Sequence, residues 1–288
     1  MRITDRQIEI LEKFSCERLH SDPNNLSLIK KFYSERGSGL VGYLNEKGLQ
    51  EDASGETAFY LIKNTSGRIC LFFALKCGAL FEPLNEQEFE ARIKQAKTIL
   101  EILSNPKADK ENRKRLFAEL DGIRQQGDMT VDQVITDVVE RASNQKITYQ
   151  NALKRLEYDR IREGKRPILR VGKTYSGVEL THFCTDDNVV AEMKEDWKQE
   201  GFRYPIGQTL FWYKIVPIIC KLQESVGCQF VFLFAADKTP DGNLTTYYNV
   251  ALKFEKLQNV GTSKPYYDFC CEFMSQEVNH LKSEREFF

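Results

Sequence analysis

At 288 residues the chain is long enough to bury a full core, and it reads as one domain with an insertion. Its 41 lysines and arginines stand against 42 aspartates and glutamates, which excludes a global basic field and leaves nucleic acid to a local patch at most. The eight cysteines form no CxxC pair and sit mostly in apolar runs, the three histidines lack metal-ligand spacing, and no stretch resembles a signal peptide or membrane span. The expectation is a reduced, cytoplasmic setting with no metal and no membrane contact.

Asp5 to His20 places Ile8, Leu11, Phe14 and Cys16 at helical spacing, and Asn25 to Tyr33 repeats the pattern with Leu26, Ile29 and Phe32. Gly37 and Gly39 read as a turn, because no strand precedes them and no lysine follows at P-loop spacing. From Thr57 the period changes to two. Ala58–Ile62 and Ile69–Phe81, joined by Asn64-Thr65-Ser66-Gly67, predict a hairpin, with Gly78 as a bulge. Residues 85–165 are charged and helical in pattern, with helix starts at Asn85 and Thr130, and predict an all-helical subdomain inserted between strands. Between Lys154 and Lys173 eight basic residues face three acidic ones, so this is the patch that a phosphate-rich partner would use; a solvated helix end is the other reading.

The informative stretch is Gly177 to Phe254. Val178–Cys184 and Phe230–Ala236 are apolar runs, the second apolar on both faces as a strand inside a covered sheet must be. Between them an amphipathic helix begins at Ile206-Gly207-Gln208, and a second helix, Leu244 to Phe254, carries Tyr247 and Tyr248. A glycine turn opening a helix offers free N–H groups and the positive end of the helix dipole to an anion. Lys264 to Gln276 predicts a returning strand, Phe254 to Leu257 a short strand before it, and the chain ends in a polar tail.

This order of elements resembles the GNAT superfamily of acyl-CoA-dependent N-acetyltransferases. The resemblance implies an α+β fold: a mixed, mostly antiparallel sheet with helices on both faces, here one domain over residues 1–288 interrupted by the helical insertion. It also implies a gap beside the strand Val178–Cys184, in which Phe183, Cys184 and Thr185 line the pantetheine arm of acetyl-CoA. The family's pyrophosphate loop (Gln or Arg, two residues, Gly, one residue, Gly or Ala) is matched by Gly207 and the small Thr209. Tyr204 stands at the Gln/Arg position, with Arg203 displaced by one, and the linker Asp186 to Phe202 is longer than usual. By this resemblance Arg203, Ile206, Gly207, Gln208 and Thr209 hold the pyrophosphate. The family's last core helix ends in Tyr, two residues, Leu-Gly-Phe; here Tyr248 is followed by Asn249-Val250-Ala251-Leu252-Lys253-Phe254, one residue longer and with Lys253 for glycine.

The activity implied is transfer of acetyl from acetyl-CoA to an amine. It needs a neutral amine, a stabilised oxyanion and a proton for the thiolate. Glu179, a carboxylate in an otherwise apolar strand, is the candidate base, the alternative being an ion pair or an edge position. Tyr248 is the candidate acid, with Tyr247 beside it. By strand alternation His182 projects to the face opposite Glu179 and reads as a hydrogen-bonded core histidine. Two other functions stay open: a non-catalytic module on the same fold, and an acyltransferase acting on tRNA or protein through the basic patch 154–173.

Overall fold

A computed structural model describes residues 3–82, 173–236, 242–257, 260–262 and 271–287, with positions 94, 98, 101, 111, 114, 115 and 118. The chain divides into two compact units, Met1–Leu80 with Tyr175–Phe288, and Phe81–Thr174. In the second unit the described positions from 94 to 118 are helical. The rest of the predicted insertion and the basic run 154–172 lie outside the described residues.

In the first unit a capping box between Thr4 and Gln7 opens α1 (Asp5–Glu12). The predicted helix to His20 stops earlier, since Ser15–Arg18 forms strand β1, with Cys16 paired to Ile62. Helix α2 (Asn25–Ile29) is shorter than its pattern suggests. The Gly37-Ser38-Gly39 turn leads directly into α3 (Ser38–Tyr43), which continues through a π turn at Leu44–Gly48 into α4 (Leu49–Ser54).

The hairpin forms as predicted, β2 (Ala58–Lys63) against β3 (Ile69–Phe81), with a register shift at Ile62/Lys63. Strand β4 (Thr174–Thr185) leads into α5 (Asp187–Gln199), so the long linker is largely a helix, capped by the Asp186 carboxylate on Val189 N–H at 2.9 Å. Helix α6 (Ile206–Leu210) passes through a π turn, Phe211–Ile215, into α7 (Val216–Val226). Pro217 explains the wide turn, since it has no N–H for the carbonyl four residues back and its ring would crowd that carbonyl. Strand β5 (Phe230–Ala235), α8 (Asn243–Leu252), β6 (Glu272–Glu277) and α9 (Val278–Phe287) follow, β6 being the described part of the predicted strand Lys264 to Gln276, whose residues 264–270 lie outside the described residues. The predicted polar tail is thus helical, and the predicted strand after Phe254 is a single bridge, Glu255 to Ser275.

Among the described residues the six strands lie in sequence order, β1 to β6. The pairs β1–β2, β2–β3 and β5–β6 are antiparallel and β4–β5 is parallel, giving the mixed, mostly antiparallel sheet expected. Alternation divides the core. Leu71, Phe73 and Leu75 of β3 join Val231 and Leu233 of β5 under Leu11, Trp197, Phe211, Ile219 and Leu281 on one face. Phe59, Leu61, Phe72 and Ala74 pack under Ile29, Phe32 and Leu44 on the other. Helices therefore cover both faces. On the second face Phe232 and Phe230 pack on Leu80, and a Cβ on Gly78 would lie 2.4 Å from the Phe232 ring. Gly78 is there to admit that ring, as is Gly177, whose Cβ would lie 3.1 Å from it.

Candidate functional site

Strands β4 and β5 pair only at Gly177–Phe230, Val178–Val231 and Glu179–Phe232. Both continue beyond: β4 runs on to Thr185 and β5 to Ala235, still paired with β6. From Leu180 to Thr185 the β5-facing edge of β4 therefore has no strand partner among the described residues. An exposed strand edge in the middle of a sheet is a place where an extended chain with amide groups can add its own hydrogen bonds.

The alternation of β4 slips inside this unpaired half. Val178 and Leu180 belong to the first face, so Glu179 points to the second. His182 should then lie on the first face, yet its ring is 5.2 Å from Phe59 and 6.5 Å from Phe72, on the second. Cys184 is also on the second face, while Phe183 packs edge-on to Phe211 at 6.1 Å on the first. Thr181 is the residue taken up by the slip, its hydroxyl turned to the Ala74 carbonyl of β3 at 3.3 Å. Glu179 and His182 thus share a face, a correction to the strict alternation expected.

Helix α6 begins at the open end of this gap. Trp197 stacks on Phe202 at 3.8 Å and donates from Nε1 to the Tyr204 carbonyl at 2.9 Å, fixing the loop that delivers Pro205 to the helix start. No side chain caps the helix, and the N–H groups of Ile206, Gly207 and Gln208 have no acceptor among the described residues. The first helical N–H in use is that of Thr209, bonded to Pro205 at 3.0 Å. A Cβ on Gly207 would lie 3.0 Å from the Thr185 methyl, 3.8 Å from the Tyr247 hydroxyl and 3.9 Å from the Phe183 ring. The glycine therefore brings the bare start of α6 against the end of β4 and against α8.

The remaining predicted residues fall around this point. Ile206 and Thr209 are buried, the Thr209 hydroxyl donating to the Pro205 carbonyl at 3.1 Å. Gln208 spends its amide on the Ala251 carbonyl at 3.3 Å, as Trp212 does at 3.0 Å, which binds α6 to the end of α8. Arg203 is exposed and makes no ion pair among the described residues. Cys184 turns away from the gap: a Cβ on Gly37 would lie 2.5 Å from its sulfur, and burial pushes its thiol up to about 11.

Glu179 is partly buried, its carboxyl raised by burial with Lys76 opposing, and no hydrogen bond or ion pair reaches it among the described residues. Tyr248 packs edge-on to Phe254 at 6.2 Å; burial and then Cys184 raise its hydroxyl. Tyr247 lies 5.9 Å from it, raised by burial and by Tyr248. Lys253 holds φ 66°, the left-handed cap conformation that favours the glycine of the family pattern. Asn249, three residues before Leu252, donates its amide to the Phe254 carbonyl at 2.9 Å, so the position where the pattern places tyrosine serves the helix end.

Sequence reasoning missed the segment from Ser34 to Glu51. Tyr43 lies 4.9 Å from His182, ring to ring, and bonds Glu51. Tyr33 and Glu35 donate their N–H groups to Asp186 and Asp187 at 2.9 and 2.8 Å, tying this segment to the end of β4. The doubled aspartate before a helix was a signal for the cap but not for a contact some 150 residues away. Among the described residues no group of three or more His, Cys, Asp or Glu forms a metal site, and no helix is long and apolar enough to cross a membrane.

No protein-family model matches the chain, and no curated protein sequence matches it. Solved structures of similar architecture include AtaTR bound with AcCoA, at 10% identity and TM-score 0.47, covering 95% of this chain and 98% of that one. AtaT complexed with acetyl-methionyl-tRNAfMet is similar at 10% identity and TM-score 0.44, covering 94% and 98%. The KacTA–DNA complex is similar at 9% identity and TM-score 0.46, covering 96% and 99%.

Proposed function

We propose that this chain is an acyl-CoA-dependent N-acetyltransferase that moves an acetyl group from acetyl-CoA to an amine. The observation that carries the proposal is the end of β4–β5 pairing at Glu179–Phe232 while both strands continue, with the uncapped, glycine-opened helix α6 at the mouth of the gap. Together they provide what acetyl-CoA requires: an unpaired strand edge for an arm carrying two amides, and clustered N–H donors for a pyrophosphate.

In this reading the N–H groups of Ile206, Gly207 and Gln208 receive the pyrophosphate, with Thr209 keeping the turn tight and the exposed Arg203 adding a positive charge. Phe183, Cys184 and Thr185 line the arm, the first and last through side chains beside Gly207 and Cys184 through its backbone. Acetyl-CoA supplies an activated thioester. Unpaired N–H groups of β4 beyond Glu179 stabilise the oxyanion as the amine attacks. Glu179 draws a proton from the amine, directly or through water, and Tyr248, protonated at neutral pH, gives one to the thiolate.

Release of free thiol from acetyl-CoA in the presence of a panel of primary amines, with mass spectrometry of the products, tests the proposal. Amine-dependent release with acetylated product is the expected result; a chain that binds acetyl-CoA and acetylates no amine is a binding module instead.

A further inference from the structure

Pairing between β4 and β5 stops at Glu179–Phe232, the vertex of the gap, and there the two faces of the sheet differ. On the first face Val178 and Leu180 of β4 and Val231 and Leu233 of β5 are all buried in the core. On the second face Glu179 is only partly buried, while Phe232 opposite it is 2% exposed. The Phe232 ring turns back over the paired half: a Cβ on Gly78 would lie 2.4 Å from it, and one on Gly177 3.1 Å. Leu80 and Phe273 pack beside it, the Phe273 ring at 6.0 Å.

Neither Gly78 nor Gly177 holds a positive φ, so it is the ring and not the backbone conformation that requires glycine at both positions. The space above them is filled by Phe232, with Leu80 at its side. Removing the ring would leave a hollow that opens at the vertex and that the two glycines have no side chains to fill.

Resting on the acetyltransferase reading, we propose that Phe232 sets the length of acyl group the donor can carry, so that the site accepts acetyl-CoA and rejects butyryl-CoA and longer donors. With the thioester at the vertex, the first face offers the acyl group no room, because Val178, Leu180, Val231 and Leu233 fill it. The group lies on the second face, beside Glu179. There a methyl ends short of the Phe232 ring, and each added methylene drives into it. A ring seated this closely on two stretches of bare backbone cannot retreat without shifting β3 or β4. The C–S bond broken and the C–N bond formed are the same for every donor in an acyl series, so a difference among donors reports space and not chemistry.

The experiment is calorimetric titration of the parent, Phe232→Leu and Phe232→Ala with CoA, acetyl-CoA, butyryl-CoA and hexanoyl-CoA. Binding needs no acceptor amine, and CoA itself reports the arm and pyrophosphate contacts without an acyl group. A methylene too many in a fitted pocket costs about tenfold or more, so the parent should bind hexanoyl-CoA roughly a hundredfold more weakly than acetyl-CoA. Phe232→Ala should bring the two within about tenfold of each other, with Phe232→Leu between it and the parent and CoA bound alike by all three. A parent that binds hexanoyl-CoA as tightly as acetyl-CoA overturns the proposal, and this result does not depend on either variant folding. So does a folded Phe232→Leu or Phe232→Ala that keeps the parent's ratio. Failure of the parent to bind CoA and acetyl-CoA alike would instead overturn the acetyltransferase reading on which this rests.

Discussion

Glu179 of β4 lies opposite Phe232 of β5, and theirs is the last pair these two strands make. The Phe232 ring lies over Gly177 and reaches Gly78, so the joined half of the strand pair is closely packed. The parting strands begin where that packing ends. In the proposed reading the thioester, at the end of the extended arm, stops at this vertex beside Glu179.

The Gly207→Asp variant should fold and lose acetyl-CoA binding. Its side chain would project toward the Thr185 methyl and the Tyr247 hydroxyl, and its carboxylate would place negative charge at the N–H groups intended for the pyrophosphate. Calorimetric titration checks this; parent-like affinity would show that α6 does not hold the pyrophosphate.

Removing the Tyr248 hydroxyl should lower kcat by about a hundredfold with little change in acetyl-CoA affinity. Tyr247→Phe should do much less to kcat, because its hydroxyl lies at Gly207, by the mouth of the gap, and should act on affinity. The reversed pattern would transfer the acid role to Tyr247.

Glu179→Gln should be more stable than the parent at neutral pH and slower in turnover. Burial raises the folded-state pKa of Glu179 above its unfolded value, so ionising it costs stability as pH rises from about 4.3 through that raised pKa. Below about pH 4 both forms are neutral and the gain in Tm should vanish. A Tm difference independent of pH would contradict this origin.

A separate buried network holds the β1 edge. Asp52 is fully buried and accepts from Arg18 Nε at 2.7 Å, His20 N–H at 2.9 Å and Phe59 N–H at 2.8 Å. Burial alone would raise its carboxyl, but the N–H and ring of His20, Arg18 and the Phe59 N–H together hold it below the usual range. Asp52→Ala should cost about 3–5 kcal/mol at neutral pH by leaving Arg18 and two N–H groups unpaired. In the parent this contribution is intact above about pH 3.9 and lost as pH falls through the depressed folded value. Chemical denaturation across that range measures both.

Period two in Ala58–Phe81 and the glycine before an amphipathic run at Gly207 were legible because each signal is local. The edge strand Ser15–Arg18 was not, since its four residues follow a helical pattern without a break and are extended only because β2 offers an edge. Helix α9 was hidden in the same way, its sparse apolar residues Val278 and Leu281 being buried by the rest of the core. The face of His182 was invisible for another reason. A one-residue slip leaves no mark in the apolar pattern, and it moves every later side chain across the sheet. Lys253 carried a cost the residue type conceals, a left-handed cap that glycine would adopt without strain.

The most direct test of the acetyltransferase account is the melting temperature of the full chain with and without acetyl-CoA, alongside the Gly207→Asp variant. A ligand at 100 times its Kd stabilises the folded state by about 2.7 kcal/mol, so the parent should melt several degrees higher with millimolar acetyl-CoA and the variant should not respond. An unchanged melting temperature for the parent would contradict the account, whatever the shape of the gap between β4 and β5.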